Sequence, residues 1–229
     1  MLLEICAYNI QSCLTAQKAG ASRIELCADP DVGGTTPSYG LIRYAIEKLS
    51  IPIFPMIRPR GGNFVYDEDE LAIMKQDILM CRELGCPGIA TGVLLANGRI
   101  DVPNLTRLVE WAHPMAVTCH KAFDRTIDAA QALEDVIAAG CSRVLTSGLC
   151  AIAFEGATVL AQLMQQASNR IIIMPGGGVR SSNIAKLVRA TNAAEYHSSG
   201  IVQKSESYLA DGEEIRMMVE ALTKYELKN

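Results

Sequence analysis

Two stretches of the chain end in the same way: Glu4-Ile5-Cys6 near its start and Glu25-Leu26-Cys27 further on. Alternate side chains of an extended chain share a face, so Glu4 stands with Cys6 and Glu25 with Cys27. If the two stretches are neighbouring parallel strands, about 5 Å apart, two carboxylates and two thiols converge. Thiolates are soft ligands that select Cu(I) or zinc over hard cations, which makes Cys6 and Cys27 candidate metal ligands. The competing reading is packing, because cysteine is among the most buried residue types. A carboxylate inside an apolar strand needs a partner. Arg23, Arg58 and Arg60 are the candidates, either in structural ion pairs or around a general acid or base.

Further chemistry gathers at other apolar-to-polar transitions. The stretch I-P-I-F-P-M-I-R-P-R-G-G (51–62) starts as a buried strand and ends in Arg58, Arg60 and two glycines. The arginines are two apart and are expected on one side, as anion contacts, unless they are simply solvated. Gly61 and Gly62 let the backbone turn and approach a ligand. His120, in C-H-K-A-F-D (119–124), is one of three histidines. At a strand end it reads as a base, a ligand, an anion contact or a satisfied structural group. Cys119 has the opposite parity and reads as packing, and Asp124 as a residue that orients His120 or caps the next turn. Gly176, Gly177 and Gly178, with Ser198 and Ser199 in H-S-S-G, are read as a backbone phosphate cradle with Arg60 as its cation, the alternative being a flexible turn. The hydroxyls of Thr146 and Ser147 are candidates for the same pocket.

The elements that must position these groups follow from hydrophobic pattern and punctuation. Strands are expected near 2–7, 22–27, 51–58, 87–92, 115–121, 142–147, 170–175 and 194–198. Helices follow each, with Asn9 and Ser38 as amino-terminal caps and Gly20, Gly85 and Gly140 as stops. The helix before strand seven is expected over 153–167, the next over 182–190, and the last over 211–225. The first strand starts near residue 2 and the eighth near 194, a βα period of about 27 residues. Eight such units predict a single-domain α/β chain, a (β/α)8 TIM barrel over 1–229. A doubly wound sheet is disfavoured, because the first βα turn has no glycine fingerprint. In a barrel these candidates all sit at or near carboxyl strand ends, where such folds bind ligands.

Composition narrows the partners. Of 229 residues 49% are hydrophobic and 5% aromatic, which suits an aliphatic α/β core. A net charge of −4 offers nothing to attract nucleic acid or an anionic membrane. No apolar run approaches the roughly 18 residues of a membrane span. The start M-L-L-E-I-C-A-Y lacks the basic region of a signal peptide. Eight scattered cysteines without a C-x-x-C pair fit reduced thiols in the cytosol.

Taken in order, E-I-C-A, R-I-E-L-C, G-G-T-T-P-S, M-I-R-P-R-G-G-N-F, V-T-C-H-K-A-F-D, R-V-L-T-S-G, I-M-P-G-G-G and E-Y-H-S-S resemble the CutC family, named for copper homeostasis. The resemblance runs from residue 4 to about 200. It implies a TIM barrel, a cytoplasmic location, copper binding and a role in copper tolerance or trafficking, with Cys6 and Cys27 matching the suggested copper ligands. The chain departs from the family where Cys119-His120-Lys121 replaces Phe-His-Arg, and Lys121 loses a planar bidentate donor. The segment after Ser199 is short and polar, which implies a reduced closing loop. Three functions therefore stand: a protein that binds Cu(I); an isomerase or lyase acting on a small phosphorylated metabolite, with Glu25, His120 and Arg58 catalytic; or a scaffold that associates as a homo-oligomer. The first two call for a metal ion or a small anion as ligand.

Overall fold

The computed structural model describes residues 1–202 and 208–227. Eight strands alternate with eight α-helices: β1 (Leu2–Ala7), α1 (Ile10–Lys18), β2 (Arg23–Leu26), α2 (Tyr39–Lys48), β3 (Ile53–Pro55), α3 (Glu68–Glu83), β4 (Gly88–Thr91), α4 (Val102–Ala112), β5 (Ala116–Cys119), α5 (Ala129–Ala138), β6 (Arg143–Thr146), α6 (Ala157–Ala167), β7 (Ile172–Pro175), α7 (Ile184–Thr191), β8 (Glu195–Ser198) and α8 (Gly212–Glu226). The strands form two parallel ladders, β3-β2-β1-β8 and β4-β5-β6-β7. Parallel bridges Met56–Ala90 and Gly176–His197 join them on both sides, so the sheet closes on itself as a (β/α)8 barrel.

Local chemistry accounts for the helix ends. Asn9 accepts from the Ser12 amide at 2.8 Å and Ser38 from the Leu41 amide at 3.3 Å, each satisfying an orphan donor of a first turn. Asp67 and Glu70 cap α3 reciprocally. Gly20, Gly85 and Gly140 follow the caps of α1, α3 and α5 at φ of +94°, +78° and +88°, a conformation glycine adopts without steric cost. Among the described residues no helix is long and apolar enough to cross a membrane.

Strand parity divides the molecule into two interiors. Leu3, Ile5, Ile24, Leu26, Val117, Cys119, Val144 and Tyr196 belong to the main apolar core under the helices. The other parity, Glu4, Cys6, Arg23, Glu25, Phe54, Thr118, Arg143, Glu195 and His197, faces the barrel axis. Cys6, Cys27, Met56 and Ala90 make a separate small cluster there.

Two elements differ from the sequence expectation. The strand expected over 51–58 is reduced to Ile53–Pro55, because Pro52 and Pro55 bring no N–H to a ladder and only Met56 bridges onward. The helix expected from 153 starts at Ala157. Before it, the Gly156 and Ser147 backbones touch: a Cβ on Gly156 would lie 1.9 Å from the Ser147 carbonyl oxygen. Part of the polar segment after Ser199, expected to reduce a closing loop, lies outside the described residues.

Candidate functional site

The barrel axis is filled by charge. Arg23 donates to Glu4, and to Glu195 at 2.6 Å. Arg143 donates to both oxygens of Glu195, at 2.8 and 3.1 Å. The Phe54 ring lies 4.9 Å from one guanidinium and 5.4 Å from the other, a cation–π contact on each. Glycine at 88 makes room for it, since a Cβ there would meet the ring at 2.4 Å. All four charges are buried, so each carboxylate needs its guanidinium.

Above this layer stands the thiol pair. Register sets Cys6 opposite Glu25, and Cys27 two residues beyond. Even with that offset, the Cys6 and Cys27 sulfurs lie 3.8 Å apart. Cys27 Sγ is 3.6 Å from Glu25 Oε2, and Glu25 Oε1 is buried without a partner. His197 Nδ1 meets Glu4 Oε1 at 2.7 Å, while Nε2 faces Glu25 Oε2 at 3.8 Å. Donor atoms of Cys6, Glu25 and Cys27 lie within 4.8 Å of one another, as do those of Glu4, Glu25 and His197. The set can hold one metal ion on two sulfurs with a carboxylate beside them.

The site's electrostatics follow from burial and neighbours. Burial raises the Glu4 carboxyl, but the His197 hydrogen bond and the Arg23 charge outweigh it and hold Glu4 down to about 2. Burial lowers His197, yet Glu25, Cys6 and Glu4 around it raise it well above an ordinary imidazole. The Cys27 thiol beside Cys6 holds Cys6 well below the usual thiol range, against burial and with His197 assisting. Cys27 is pushed well above that range by Cys6 and by burial. Burial, with Cys6 adding, raises Glu25. The two thiols are thus driven apart, Cys6 toward the thiolate and Cys27 toward the thiol, beside an imidazole whose charged form is favoured.

The other expected site residues go to different places. Arg58 is buried, and its terminal nitrogens donate to the carbonyls of Val32, Gly34 and Gly62 at 2.8, 2.8 and 3.0 Å, tying two loops together. Arg60 does not share that side: it reaches Glu70 at 2.5 Å and the Val65 carbonyl at 2.9 Å. The strand has ended at Pro55, so its alternation no longer governs the two arginines. His120 is buried and neutral. Burial, and then the Arg58 charge, lower it to about 3. Its Nδ1 accepts from the Ala122 amide at 3.2 Å, and its Nε2 has no partner. Asp124 does not orient it. That carboxylate instead takes the Thr146 hydroxyl at 2.5 Å and the Ser147 hydroxyl at 2.8 Å, pinning the loop after β6 and occupying both hydroxyls expected for the phosphate pocket.

At the expected cradle, Gly177 and Gly178 take φ of +102° and +65°. A Cβ on Gly178 would meet Ile152 at 2.6 Å, so the loop is closely packed. Ser198 donates to the Val179 carbonyl at 2.7 Å, and Arg180 donates to Ser198 at 3.1 Å and Ser199 at 3.3 Å. The cation bonded to this cradle is Arg180. None of the hydrogen bonds of Arg60 reaches it.

Residues 1–202 match the model of the CutC family. The chain belongs to the CutC family. A CutC protein of Chromobacterium violaceum is 50% identical over 198 residues, 86% of this chain and 80% of that one. One from Parabacteroides distasonis is 50% identical over 199 residues, 86% and 82% of the two chains. The crystal structure of a Streptococcus agalactiae protein, described as CutC and assigned to copper homeostasis, is 36% identical with a TM-score of 0.82, over 87% of this chain and 98% of that one. A phosphoribosylanthranilate isomerase of Thermotoga maritima is 12% identical with a TM-score of 0.65, over 98% and 99% of the two chains, and shares the fold.

Within this CutC chain, sequence reading passed over Glu195, Arg143, Phe54 and Arg180. A signal was present for the first: in A-E-Y-H-S, Glu195 and His197 alternate with Tyr196, the period of a strand with one polar face. Arg143, likewise, opens a strand in the parity of the barrel axis. Cys119 packs in the apolar core and is pushed well above the usual thiol range by burial, in keeping with the packing reading.

Proposed function

We propose that this chain is a copper-homeostasis protein that binds one Cu(I) between Cys6 and Cys27 in the cytoplasm. The observation that carries the reading is the 3.8 Å separation of two sulfurs buried at the barrel axis. Two metal–thiolate bonds of about 2.3 Å span up to about 4.6 Å, so one ion reaches both. Soft sulfur favours Cu(I), and burial keeps the ion from water. Glu25, with an unpartnered buried oxygen, stands as a third donor. The copper-homeostasis description of the Streptococcus agalactiae protein supports the role. All eight cysteines are free, which suits a reducing compartment.

Cu(I) competition against a chromophoric chelator tests the reading. We expect Cys6→Ser and Cys27→Ser each to weaken binding at least roughly a hundredfold, more than loss of a supporting group costs. Cys119→Ser should match wild type. Apparent affinity should rise with pH, because the Cys27 proton must leave on binding. Unchanged affinity in both site variants, or loss in Cys119→Ser alone, would sink the copper assignment.

A further inference from the structure

A cavity of ≈ 940 Å³ opens among the loops that follow β2 to β6. The thiol pair does not line it. Its walls carry three cations, Arg58, Lys121 and Arg125, and one carboxylate, Asp124. That carboxylate is already saturated: besides the Thr146 and Ser147 hydroxyls it accepts the Ser147 amide at 3.0 Å and the Leu149 amide at 3.2 Å, and Lys121 stands 3.5 Å away. It has little left to neutralise the others.

Arg58 is the telling group. The residue is 4% exposed, yet among the described residues no carboxylate pairs with its guanidinium. The carbonyls of Val32, Gly34 and Gly62 take three of its four terminal hydrogens but bring no negative charge, and its Nε has no acceptor. Phe64 covers one face at 4.7 Å. The same ring meets His120, 5.0 Å between centroids, whose buried Nε2 also lacks a partner. Buried charges in folded proteins are paired, and buried polar atoms are bonded. Here a charge and one donor of Arg58 go unanswered in the cavity wall, and a second donor goes unanswered on His120, which packs against the lining residue Phe64. Arg125, exposed at the cavity, has no side-chain ion pair or hydrogen bond among the described residues either.

We propose that this cavity binds a small organic anion, at a site separate from the thiol pair and independent of the copper reading. Its size suits a small molecule, since ligand pockets hold about 300–1,000 Å³. Phe64, Leu94 and Leu149 supply apolar wall for a carbon skeleton. Lys121 and Arg125 meet the charged group, and Arg58 supplies the field that draws it in. The headgroup chemistry is that of a phosphate ester or a carboxylate, which these cations recognise alike.

The test uses the full chain with four probes: phenyl phosphate, benzoate, inorganic phosphate and neutral benzyl alcohol, titrated by calorimetry. Phenyl phosphate or benzoate should bind, the tighter of the two naming the headgroup, and both more tightly than benzyl alcohol. Lys121→Met and Arg125→Met should each weaken binding at least about fivefold, the loss expected of a solvent-accessible charge contact. Leu149→Trp, which fills the cavity, should abolish it. Unfolding midpoints serve as the fold control, so the outcome does not depend on copper. Cys150 lines the cavity and is the one cysteine of the eight that is not buried. A bound probe should slow its alkylation. The proposal falls if neither organic anion binds more tightly than about 10 mM. It falls as well if benzyl alcohol binds equally well, or if the three variants with wild-type midpoints bind as wild type does.

Discussion

Replacing Arg23 with methionine should cost about 3–5 kcal/mol of folding stability, the loss seen when one partner of a buried ion pair is removed. Arg23 is the hinge of the axial charge layer: it donates to Glu4 and also to Glu195. Without it Glu4 keeps only His197, and Glu195 keeps only Arg143. Both carboxylates are nearly inaccessible to water, so solvent cannot replace the lost donor. The stacked face of Phe54 loses one of its two cations as well. Urea unfolding followed by circular dichroism measures the effect. Arg23→Lys should recover part of the loss, because an ammonium restores charge but not the two-sided fork. Loss of less than about 1 kcal/mol in Arg23→Met, the level of an exposed pair, would mean the layer is solvated.

Acidification below pH 6.5 should remove a stabilising contribution that His120 supplies, seen as the difference in slope between wild type and His120→Gln. Burial, and then the Arg58 charge, hold this imidazole down to about 3 in the folded chain, against 6.5 when free. As pH falls below 6.5 the unfolded chain takes up a proton that the folded chain refuses. Stability supplied by the neutral ring is therefore complete above pH 6.5 and is lost progressively toward pH 3. The slope is about 1.4 kcal/mol per pH unit, or about 3 kcal/mol by pH 4. His120→Gln should be less stable than wild type at pH 8, where the packing against Phe64 and the bond from Ala122 are lost. Between pH 6.5 and 4, however, its stability should fall with a slope smaller by one proton. Equal slopes for the two proteins would show that His120 protonates freely in the folded state.

The two groups differ in how they announce themselves in the sequence. Arg23 and Glu4 stand in E-I-C-A and R-I-E-L-C, where parity alone places them on one side of neighbouring strands, and Arg23 was already a candidate partner. The fate of Arg58 was hidden. Its anion-contact reading assumed a strand running to residue 58, but the strand is Ile53–Pro55 with only Met56 and Ile57 bonding to neighbouring strands beyond it, and the arginine turns onto carbonyls of two loops. Arg60 was misplaced for the same reason.

What the amino-acid sequence determined by itself is what depends on near neighbours along the chain. The caps at Asn9 and Ser38, the glycine stops at Gly20, Gly85 and Gly140, the eightfold βα period and the inward parity of Cys6 and Cys27 all rest on bonds or alternation spanning a few residues. Tertiary structure alone decided the partners. Glu4 meets His197 across 193 positions of sequence, and Arg143 meets Glu195 across 52. Those contacts exist only because β8 pairs with β1 and the sheet closes, and nothing local encodes which inward side chain will face which across the axis. Direct pairing of β1 with β2 brings the two sulfurs within 3.8 Å despite a register that sets Cys6 opposite Glu25, and the sheet then closes into one mouth. Closure leaves Arg58 buried beside a cavity with no carboxylate of its own, a property of the assembled mouth of the barrel rather than of the stretch that carries the residue.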